Sequence, residues 1–341
     1  MDRTVDLRSD TVTQPTDRMR EAMATARVGD DVFREDPTVA ELESLAAQMV
    51  GHQAALFCAS GTMANLVAVL THCRRGDAVV ADAEAHVLHY EAGGMSALAG
   101  TFPQPLRTRD GHPTPEELEA VVGPPDVHRP PVRLVWLENT HNRAGGVAYR
   151  PDRTAAAARW AHARGLRVHL DGARLFNAAV ALGVAAADLA APVDSVMVSL
   201  SKGLSAPAGS VLCGSEAFVE EARRWRKALG GGMRQVGILA AAGLVALREM
   251  VDRLGEDHRR ARALAEGLAE IPGVKVERDR VQTNIVLARV ADAPGVVGRL
   301  RAYGVLALAL DAHTIRFVTH RHVDDGDVER AVQAVRAAVA G

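Results

Sequence analysis

One acidic side chain stands where a buried strand is predicted to end. Residues 168–174 read VHLDGAR, so an apolar run leads directly into Asp171. In open α/β sheets, ligands bind beyond the carboxyl ends of the strands, and Asp171 is well placed to meet one. A carboxylate there can keep a pyridine nitrogen protonated, which makes the ring an acceptor for the electrons of a carbanion. The competing interpretation of this segment alone is a carboxylate that caps the following helix.

A lysine follows the next predicted strand. Residues 195–203 read SVMVSLSKG, which is a strand, then small polar residues, then Lys202 beside Gly203. Lysine forms Schiff bases with carbonyl cofactors, and partial burial lowers its pKa enough to make the amine nucleophilic. The alternative is a lone surface lysine, and the presence of Asp171 earlier in the chain weakens it.

A third segment has the features of a phosphate loop. Residues 59–65 read ASGTMAN and lie between a predicted strand and a helix. Free backbone N–H groups and the positive end of the helix dipole would cradle a phosphate at Ser60, Gly61 and Thr62. Neither the dinucleotide GxGxxG spacing nor the P-loop lysine is present. Loop, carboxylate and lysine together predict pyridoxal 5'-phosphate (PLP) as the cofactor.

The elements that must position these residues alternate along the chain. Helices fit between short apolar, β-branched runs, for example at 62–72 and 154–163. The predicted strands are Ala54–Phe57, Ala78–Ala81, Leu134–Leu137, Arg167–Leu170, Ser195–Ser199 and Ser210–Leu212. Near-continuous apolar strands separated by helices predict an α/β fold with a mostly parallel sheet covered on both faces.

Length and pattern predict more than one domain, because 341 residues are many for a single core. An all-round apolar stretch at 236–251 predicts a buried helix, and the charged helix at 253–270 would bridge the domains. Beyond it, strands are predicted at 283–290 and 314–319, and helices at 295–302 and 325–338. We therefore predict an N-terminal arm at 1–30, a large PLP-binding α/β domain at 31–250 and a small C-terminal α+β domain at 251–341.

Composition excludes several classes of partner. Forty basic and 42 acidic residues give a net charge of −2. The charges are scattered, so we expect no nucleic-acid or membrane partner and a small-molecule substrate. Three cysteines, Cys58, Cys73 and Cys213, form no metal or disulfide pattern, and the histidines lack zinc-site spacing, so no metal is predicted. With a polar N-terminus, these features predict a cytoplasmic protein.

The motifs resemble those of the low-specificity L-threonine aldolases, which are fold-type-I, aspartate-aminotransferase-like PLP enzymes. The resemblance spans nearly the whole chain. It rests on DLRSDTVT at 6–13, VGDDV at 28–32, DPTV at 36–39, ENTHN at 138–142, DGAR at 171–174, LSKG at 200–203 and GGGMRQ at 230–235. The first and last of these are specific to that family, whereas DGAR and SKG recur in related β-eliminating lyases.

The resemblance implies roles for further residues. His86 would stack on the cofactor ring, and His141 would lie near the substrate's β-hydroxyl. Arg234 would reach the phosphate region across a subunit interface, so a homodimer or homotetramer with shared active sites is implied. The substrate carboxylate would be held by Ser9, Arg174 and Arg316.

Each of these residues also has an ordinary structural interpretation. His86 could be a core or helix-capping histidine, and His141 lies among residues that suit a turn. Arg316 could be a solvated strand arginine, although an arginine fork is also the usual binder of a carboxylate. Glycines 230–232 could be only a flexible loop. Ser9 lies in an arm that would fray unless it docks.

The implied reaction is cleavage of threonine or a related β-hydroxy-α-amino acid to glycine and an aldehyde. Lys202 would carry PLP as a Schiff base, Asp171 would secure the ring proton, and the base could be His86, His141 or a water between them. The alternatives are another fold-type-I PLP enzyme, such as an aminotransferase or β-eliminating lyase, and a non-catalytic PLP-binding relative. Phe33 and Arg34 depart from the family's expected tyrosine and glycine, which puts substrate preference or rate in doubt.

Overall fold

The computed structural model describes residues 4–124 and 126–341. Its strands are β1 Val5–Asp6, β2 Ala54–Cys58, β3 Ala78–Asp82, β4 Phe102–Leu106, β5 Val132–Glu138, β6 Arg167–Gly172, β7 Ser195–Ser199, β8 Ser210–Gly214, β9 Lys275–Val276, β10 Ile285–Arg289, β11 Val305–Leu306, β12 Leu308–Ala309 and β13 Thr314–Val318. Its α-helices are α1 Asp17–Ala24, α2 Pro37–Val50, α3 Gly61–His72, α4 His86–His89, α5 Gly94–Ala97, α6 Pro115–Val122, α7 Pro151–His162, α8 Leu175–Leu182, α9 Ala186–Ala190, α10 Glu216–Ala228, α11 Gly237–Glu249, α12 Leu254–Ala269, α13 Ala293–Leu300 and α14 Asp325–Ala340.

Within the described residues, seven strands form the large sheet in the order β2-β8-β7-β6-β5-β3-β4. The pairings from β7 to β4 are parallel, and β8 runs antiparallel to both of its neighbours. Strands β3, β7 and β8 are buried along their whole length because helices cover both faces, as their apolar sequences require. The predicted mostly parallel α/β sheet is confirmed, and each predicted strand ends within a residue or two of the observed one.

Strand β4 is absent from the sequence prediction. It pairs in parallel with β3 at the edge of the sheet and contains Pro103 and Pro105. Proline cannot donate to a strand ladder, so prolines suit only an edge strand and conceal it from pattern analysis. The helix predicted near 295–302 is confirmed, with both of its bounds shifted by two residues. Helix α13 begins at Ala293 because the Asp292 side chain accepts the Gly295 N–H.

The C-terminal residues form a four-stranded antiparallel sheet in the order β12-β13-β10-β9. Helices α12 and α14 pack together, and their buried residues share one apolar cluster with Ile315 and Phe317 of β13. The N-terminal arm joins this unit, since β1 pairs in parallel with β11 and Val5 and Leu7 enter the same cluster. The arm is therefore docked, whereas the domain boundaries at 30/31 and 250/251 stay a prediction.

A second, larger apolar cluster belongs to the large sheet. Helices α2, α8 and α11 contribute to it, and the predicted buried helix is observed as α11, whose middle turns are almost wholly buried. In the described part of the chain, no helix combines the length and apolarity needed to cross a membrane.

Candidate active site

Lys202 lies in a tight turn after β7. The Leu200 N–H donates to the Gly209 carbonyl, and the Ser205 N–H donates to the Lys202 carbonyl at 2.9 Å. The Thr13 hydroxyl donates to the same carbonyl at 2.8 Å, so the N-terminal arm holds this turn. Burial lowers the pKa of Lys202, and the nearby Arg174 guanidinium lowers it further. A larger fraction of the amine is therefore unprotonated and nucleophilic near neutral pH.

Asp171 ends β6, and both of its carboxylate oxygens accept a hydrogen bond. The Ala173 N–H donates to Oδ1 at 3.0 Å, and Nδ2 of Asn65 donates to Oδ2 at 2.9 Å. Asp171 therefore holds the turn, but Arg174 occupies the N-cap position of α8, where no side chain caps the helix. Each carboxylate oxygen has more than one acceptor site, so Asp171 can still accept a ring N–H.

The predicted phosphate loop lies at the start of α3. Ser60 is the N-cap, and its Oγ accepts the Met63 N–H at 3.2 Å. The first N–H groups of a helix have no intrahelical partner, so those of Gly61 and Thr62 can bind an anion. A Cβ on Gly61 would lie 3.3 Å from the end of the Met197 side chain, which would have to shift slightly, so glycine allows the loop its closest fit against β7.

His86 is fixed at two points and keeps one ring nitrogen free. Its backbone N–H donates to Oε2 of Glu138, and its Nδ1 lies 2.8 Å from Oε1 of Glu91. Burial alone would lower the pKa of His86, but the Glu91 hydrogen bond and the Asp171 charge outweigh burial and raise it. Nε2 makes no hydrogen bond within the described residues. His86 can therefore present Nε2 and its ring face to a ligand.

His141 is buried, and both of its ring nitrogens face protein groups. The Ala144 N–H donates to Nδ1 at 3.1 Å, and Nε2 lies 3.2 Å from Oδ1 of Asp82. Burial opposes protonation of the ring, but Glu138 and Asp82 together raise the pKa of His141. Nε2 lies at ion-pair distance from Asp82 but makes no hydrogen bond within the described residues, so it is the one ring nitrogen of His141 that still lacks a hydrogen-bond partner there.

Arg174 and Arg316 meet at Asn142, but their other partners differ. Two nitrogens of Arg174 donate to the two oxygens of buried Asp10, each at 2.7 Å. Arg316 Nη1 donates to Oδ1 of Asn142 at 3.0 Å, and its Nη2 donates to the Arg8 carbonyl at 3.1 Å. Its buried Nε has no partner in the part of the chain that the structure describes. Asp10 therefore already occupies the Arg174 fork, whereas Arg316 retains a donor.

The pKa values of Asp10 and Arg316 agree with this difference between the two arginines. Burial would raise the pKa of Asp10, but Arg174 lowers it well below the usual carboxyl range. Burial lowers the pKa of Arg316, and the positive charge of Arg174 lowers it further. Asp10 thus compensates the Arg174 charge, and the Arg316 charge is left for a further anion.

Ser9 and Arg234 lie at two ends of the predicted site. Ser9 caps the 3-10 helix Asp10–Val12, where its Oγ accepts the Thr11 N–H and hydroxyl, and its own proton is free to donate. Arg234 is exposed and pairs with Asp30 at 3.0 Å. No hydrogen bond of the described chain links Arg234 to Lys202 or to the phosphate loop. Within the described chain, electrostatic contacts link Lys202 and Asp171 to His86, His141, Arg174 and Arg316, whereas Arg234 has none of them.

The Phe33–Arg34 departure has a structural consequence. Arg34 adopts φ +61°, in the left-handed region that favours glycine. Its guanidinium pairs with Glu220, and the Phe33 side chain is exposed. An arginine is thus accommodated at a strained position on the surface.

Comparisons with known proteins show the family to which the chain belongs. The family described as Beta-eliminating lyase matches residues 6–291. The chain belongs to this family. It is 43% identical over 346 residues to Low-specificity L-threonine aldolase 1 of Arabidopsis thaliana, which covers 99% of this chain and 97% of that protein. It is 42% identical to the Low specificity L-threonine aldolase of Escherichia coli (strain K12), with 94% of each covered.

Solved structures share the fold. A Leishmania major threonine aldolase superposes with a TM-score of 0.84 at 20% identity, covering 98% of this chain and 99% of that one. A structure described as SPT with PLP superposes at 0.75 and 19% identity, covering 98% and 87%. The resemblance inferred from the motifs and the fold-type-I prediction are both confirmed.

Four buried residues of this beta-eliminating lyase site were missed as candidates from sequence. They are Asp10, Asn65, Glu91 and Asn142. Asp10 and Asn142 lie inside quoted motifs, DLRSDTVT and ENTHN, which was a usable signal. Asn65 lies on the first turns of α3, and Glu91 lies beyond the short helix α4. Nothing in their spacing indicates that they meet.

One cluster here has the spacing of a metal site. Ligand atoms of His86, Glu91 and Asp171 lie within 4.8 Å of one another. Nδ2 of Asn65 already donates to Glu91 and to Asp171. A cation between the two carboxylates would lie against these N–H groups, so the geometry favours hydrogen bonding over metal binding.

Proposed function

We propose that this chain is a PLP-dependent aldolase that cleaves L-threonine, L-allo-threonine and related β-hydroxy-α-amino acids to glycine and an aldehyde. The observation that carries the proposal is the 43% identity, over 99% of the chain, to a low-specificity L-threonine aldolase. The site supports it because an amine, a ring-nitrogen acceptor, a free histidine nitrogen and an arginine donor all lie in one region.

The residues present fit PLP. When bound, PLP supplies a carbonyl carbon that links to an amine and a protonated ring that accepts electrons from the bond being broken. Lys202 offers an amine with a lowered pKa. Asp171 keeps an acceptor position for the ring N–H, and the N-terminus of α3 offers Ser60, Gly61 and Thr62 to the phosphate.

Arg316 orients the substrate. Its buried Nε has no partner in the described chain, which costs free energy until an acceptor arrives. A substrate carboxylate supplies that acceptor, Ser9 can donate its hydroxyl proton to it, and Arg174 contributes its charge. Holding the carboxylate fixes the Cα–Cβ bond against rotation, so that it can stand perpendicular to the cofactor ring.

His86 is the first candidate for the base, directly or through a water. Its free Nε2 takes the β-hydroxyl proton while the Cα–Cβ bond breaks, the aldehyde leaves and Cα regains a proton. Glu91 holds Nδ1 and stabilises the imidazolium that forms. His141 is the second candidate, and its Nε2 reaches a substrate only by leaving Asp82.

The test is incubation with L-threonine and, separately, L-allo-threonine, with and without added PLP. Production of glycine and acetaldehyde in equal amounts supports the proposal. A keto acid indicates an aminotransferase, and ammonia with a keto acid indicates a β-eliminating lyase. PLP binding without any product indicates a non-catalytic relative.

We infer that the enzyme is a homodimer or homotetramer and that Arg234 acts in the neighbouring subunit's phosphate site. Arg234 is exposed, and the exposed apolar side chains of Val28, Phe33 and Ile238 lie on segments that pack beside it. Light scattering measures the number of subunits in the assembly. Mixing inactive Lys202→Ala and Arg234→Ala subunits should restore activity, since mixed assemblies contain one intact site, and failure to restore it opposes a shared site.

We also infer a cytoplasmic location. The cysteines Cys58, Cys73 and Cys213 are buried and unpaired, which suits a reducing compartment. Fractionation of cells with a tagged protein tests it.

A further inference from the structure

A chain of buried polar side chains lies behind Asp171. His72 Nε2 lies 2.7 Å from Oγ of Ser195, and the same Oγ lies 2.8 Å from Nδ1 of His169. His169 Nε2 lies 3.4 Å from Oδ1 of Asn65. Ser195, His169 and Asn65 are buried, and His72 is half-buried. None of these four residues contacts the substrate in the proposed function, so the chain needs another explanation.

The hydrogen bonds of this chain have one direction when the Asn65 oxygen faces His169, as it does here. Burial lowers the pKa of His72 to about 4 and lowers that of His169 well below its usual value. Both rings are therefore neutral near pH 7, and each has one donor and one acceptor nitrogen. If His169 donates from Nε2 to the Asn65 oxygen, its Nδ1 must accept the Ser195 hydroxyl. The Ser195 oxygen then accepts from Nε2 of His72.

At the other end of the chain, Asn65 donates to two carboxylates with one amide nitrogen. Nδ2 lies 2.9 Å from Oδ2 of Asp171 and 2.7 Å from Oε1 of Glu91. A rotated amide would place its oxygen against both carboxylates and its NH₂ group against a donor. The two carboxylates therefore orient the amide, and a His169 ring with its proton on Nε2 supplies the donor that matches this orientation.

We propose that Asn65 is a positioning residue that joins the ring-nitrogen acceptor Asp171 to Glu91, the partner of His86, and that His169, with Ser195 and His72 behind it, holds the amide oxygen. Through this amide, one hydrogen-bonded unit positions both Asp171, whose carboxylate receives the cofactor ring nitrogen, and His86, which faces the ring. The inference rests on the proposed use of PLP, but not on which bond of the substrate is broken.

The experiment measures cofactor binding to the purified apo-protein without substrate. Asn65→Leu keeps a branched side chain of similar shape but removes both donors. It is titrated with PLP and with the analogue in which carbon replaces the ring nitrogen. We expect PLP to bind roughly ten- to a hundred-fold more weakly, the scale of a hydrogen bond to a charged group. The analogue, which offers Asp171 no N–H, should lose much less affinity.

Two further variants separate positioning from general loss of structure. His169→Phe keeps the ring packing against Trp136, whose centroid lies 4.5 Å away, but removes both hydrogen bonds. It should weaken PLP binding in the same direction by roughly two- to ten-fold. Asn177→Leu is the matched control, because Asn177 is also a buried helical asparagine and its Nδ2 lies 3.1 Å from His258 Nε2. It should lower the melting temperature similarly without changing the ratio of PLP to analogue affinity.

The visible absorbance of the bound cofactor gives a second readout. The pH at which this absorbance changes should shift in Asn65→Leu and not in Asn177→Leu. Equal loss of PLP and analogue binding would make Asn65 merely structural, and unchanged binding of both would also overturn the inference. If the wild-type protein binds no PLP, the proposed function fails as well. If it binds PLP but does not cleave threonine, only the proposed function fails.

Discussion

Replacing Asp10 with asparagine tests whether the docked arm stabilises the site by charge. Asp10 is fully buried and accepts two hydrogen bonds from Arg174 and one from Asn284. Asp10→Asn keeps one acceptor oxygen, directs an NH₂ group toward donors and leaves the Arg174 guanidinium buried without its counter-charge. Breaking a buried ion pair in this way destabilises a protein by about 3–5 kcal/mol.

Urea unfolding of the apo-protein at neutral pH measures this loss. The matched control is Asp325→Asn, which breaks exposed pairs with Arg259 and Arg260 and should change stability little. A variant that unfolds at the wild-type urea concentration would refute the reasoning, since the arm would then be held by its apolar contacts alone.

The Asp10–Arg174 ion pair also predicts how the folding stability should change with pH. The folded pKa of Asp10 is depressed below the ordinary aspartate pKa of 3.8, so its stabilising contribution is fully present above that pH. It is lost as the pH falls through the depressed folded pKa. The difference between wild type and Asp10→Asn should therefore be constant near neutral pH and shrink only in strong acid. A difference that grows on acidification would contradict the assignment.

Four substitutions test the proposed roles directly. Lys202→Ala should abolish turnover and the visible absorbance of bound PLP while the circular-dichroism spectrum is unchanged. Asp171→Asn should lower kcat by orders of magnitude even at saturating PLP, as stopped-flow assays would show. His86→Phe keeps a ring over the cofactor but loses the base, so kcat should fall by roughly 10²–10⁴-fold. In the wild type, the raised pKa of His86 places the rise of kcat/KM above pH 6.5, and a rise centred below that value would exclude His86. Arg316→Lys should lower kcat/KM for threonine roughly ten- to a hundred-fold and leave the PLP dissociation constant unchanged, which paired titrations would show.

The large sheet could be predicted because its strands are apolar runs that end in chemically informative residues. Asp171 and Lys202 follow two such strands, and parallel strands bring their carboxyl ends to one edge. Strand β4 could not be predicted, because its two prolines are typical of a turn in any local pattern. Its pairing with β3 depends on the rest of the sheet.

The inner parts of the site depend on contacts between distant segments. Asp10 meets Arg174 only when the arm docks, and Asn65 meets Asp171 only when α3 packs against β6. A buried asparagine on a helix and a carboxylate in an arm have no local signature of burial. The sequence therefore predicted the groups that touch the cofactor better than the groups that hold them.

The arrangement of charge around Lys202 links the two arginines to the state of the lysine. Arg174 and Arg316 lie together, yet only Arg174 has a carboxylate of its own in the described chain. The positive charge of Arg174 helps to lower the pKa of Lys202, which favours the unprotonated amine before PLP binds. In the proposed function, a substrate carboxylate at Arg316 adds a negative charge nearby and raises that pKa again. Lys202 is thus a nucleophile toward PLP in the apo-protein and a better proton acceptor once the amino acid has displaced it from the cofactor.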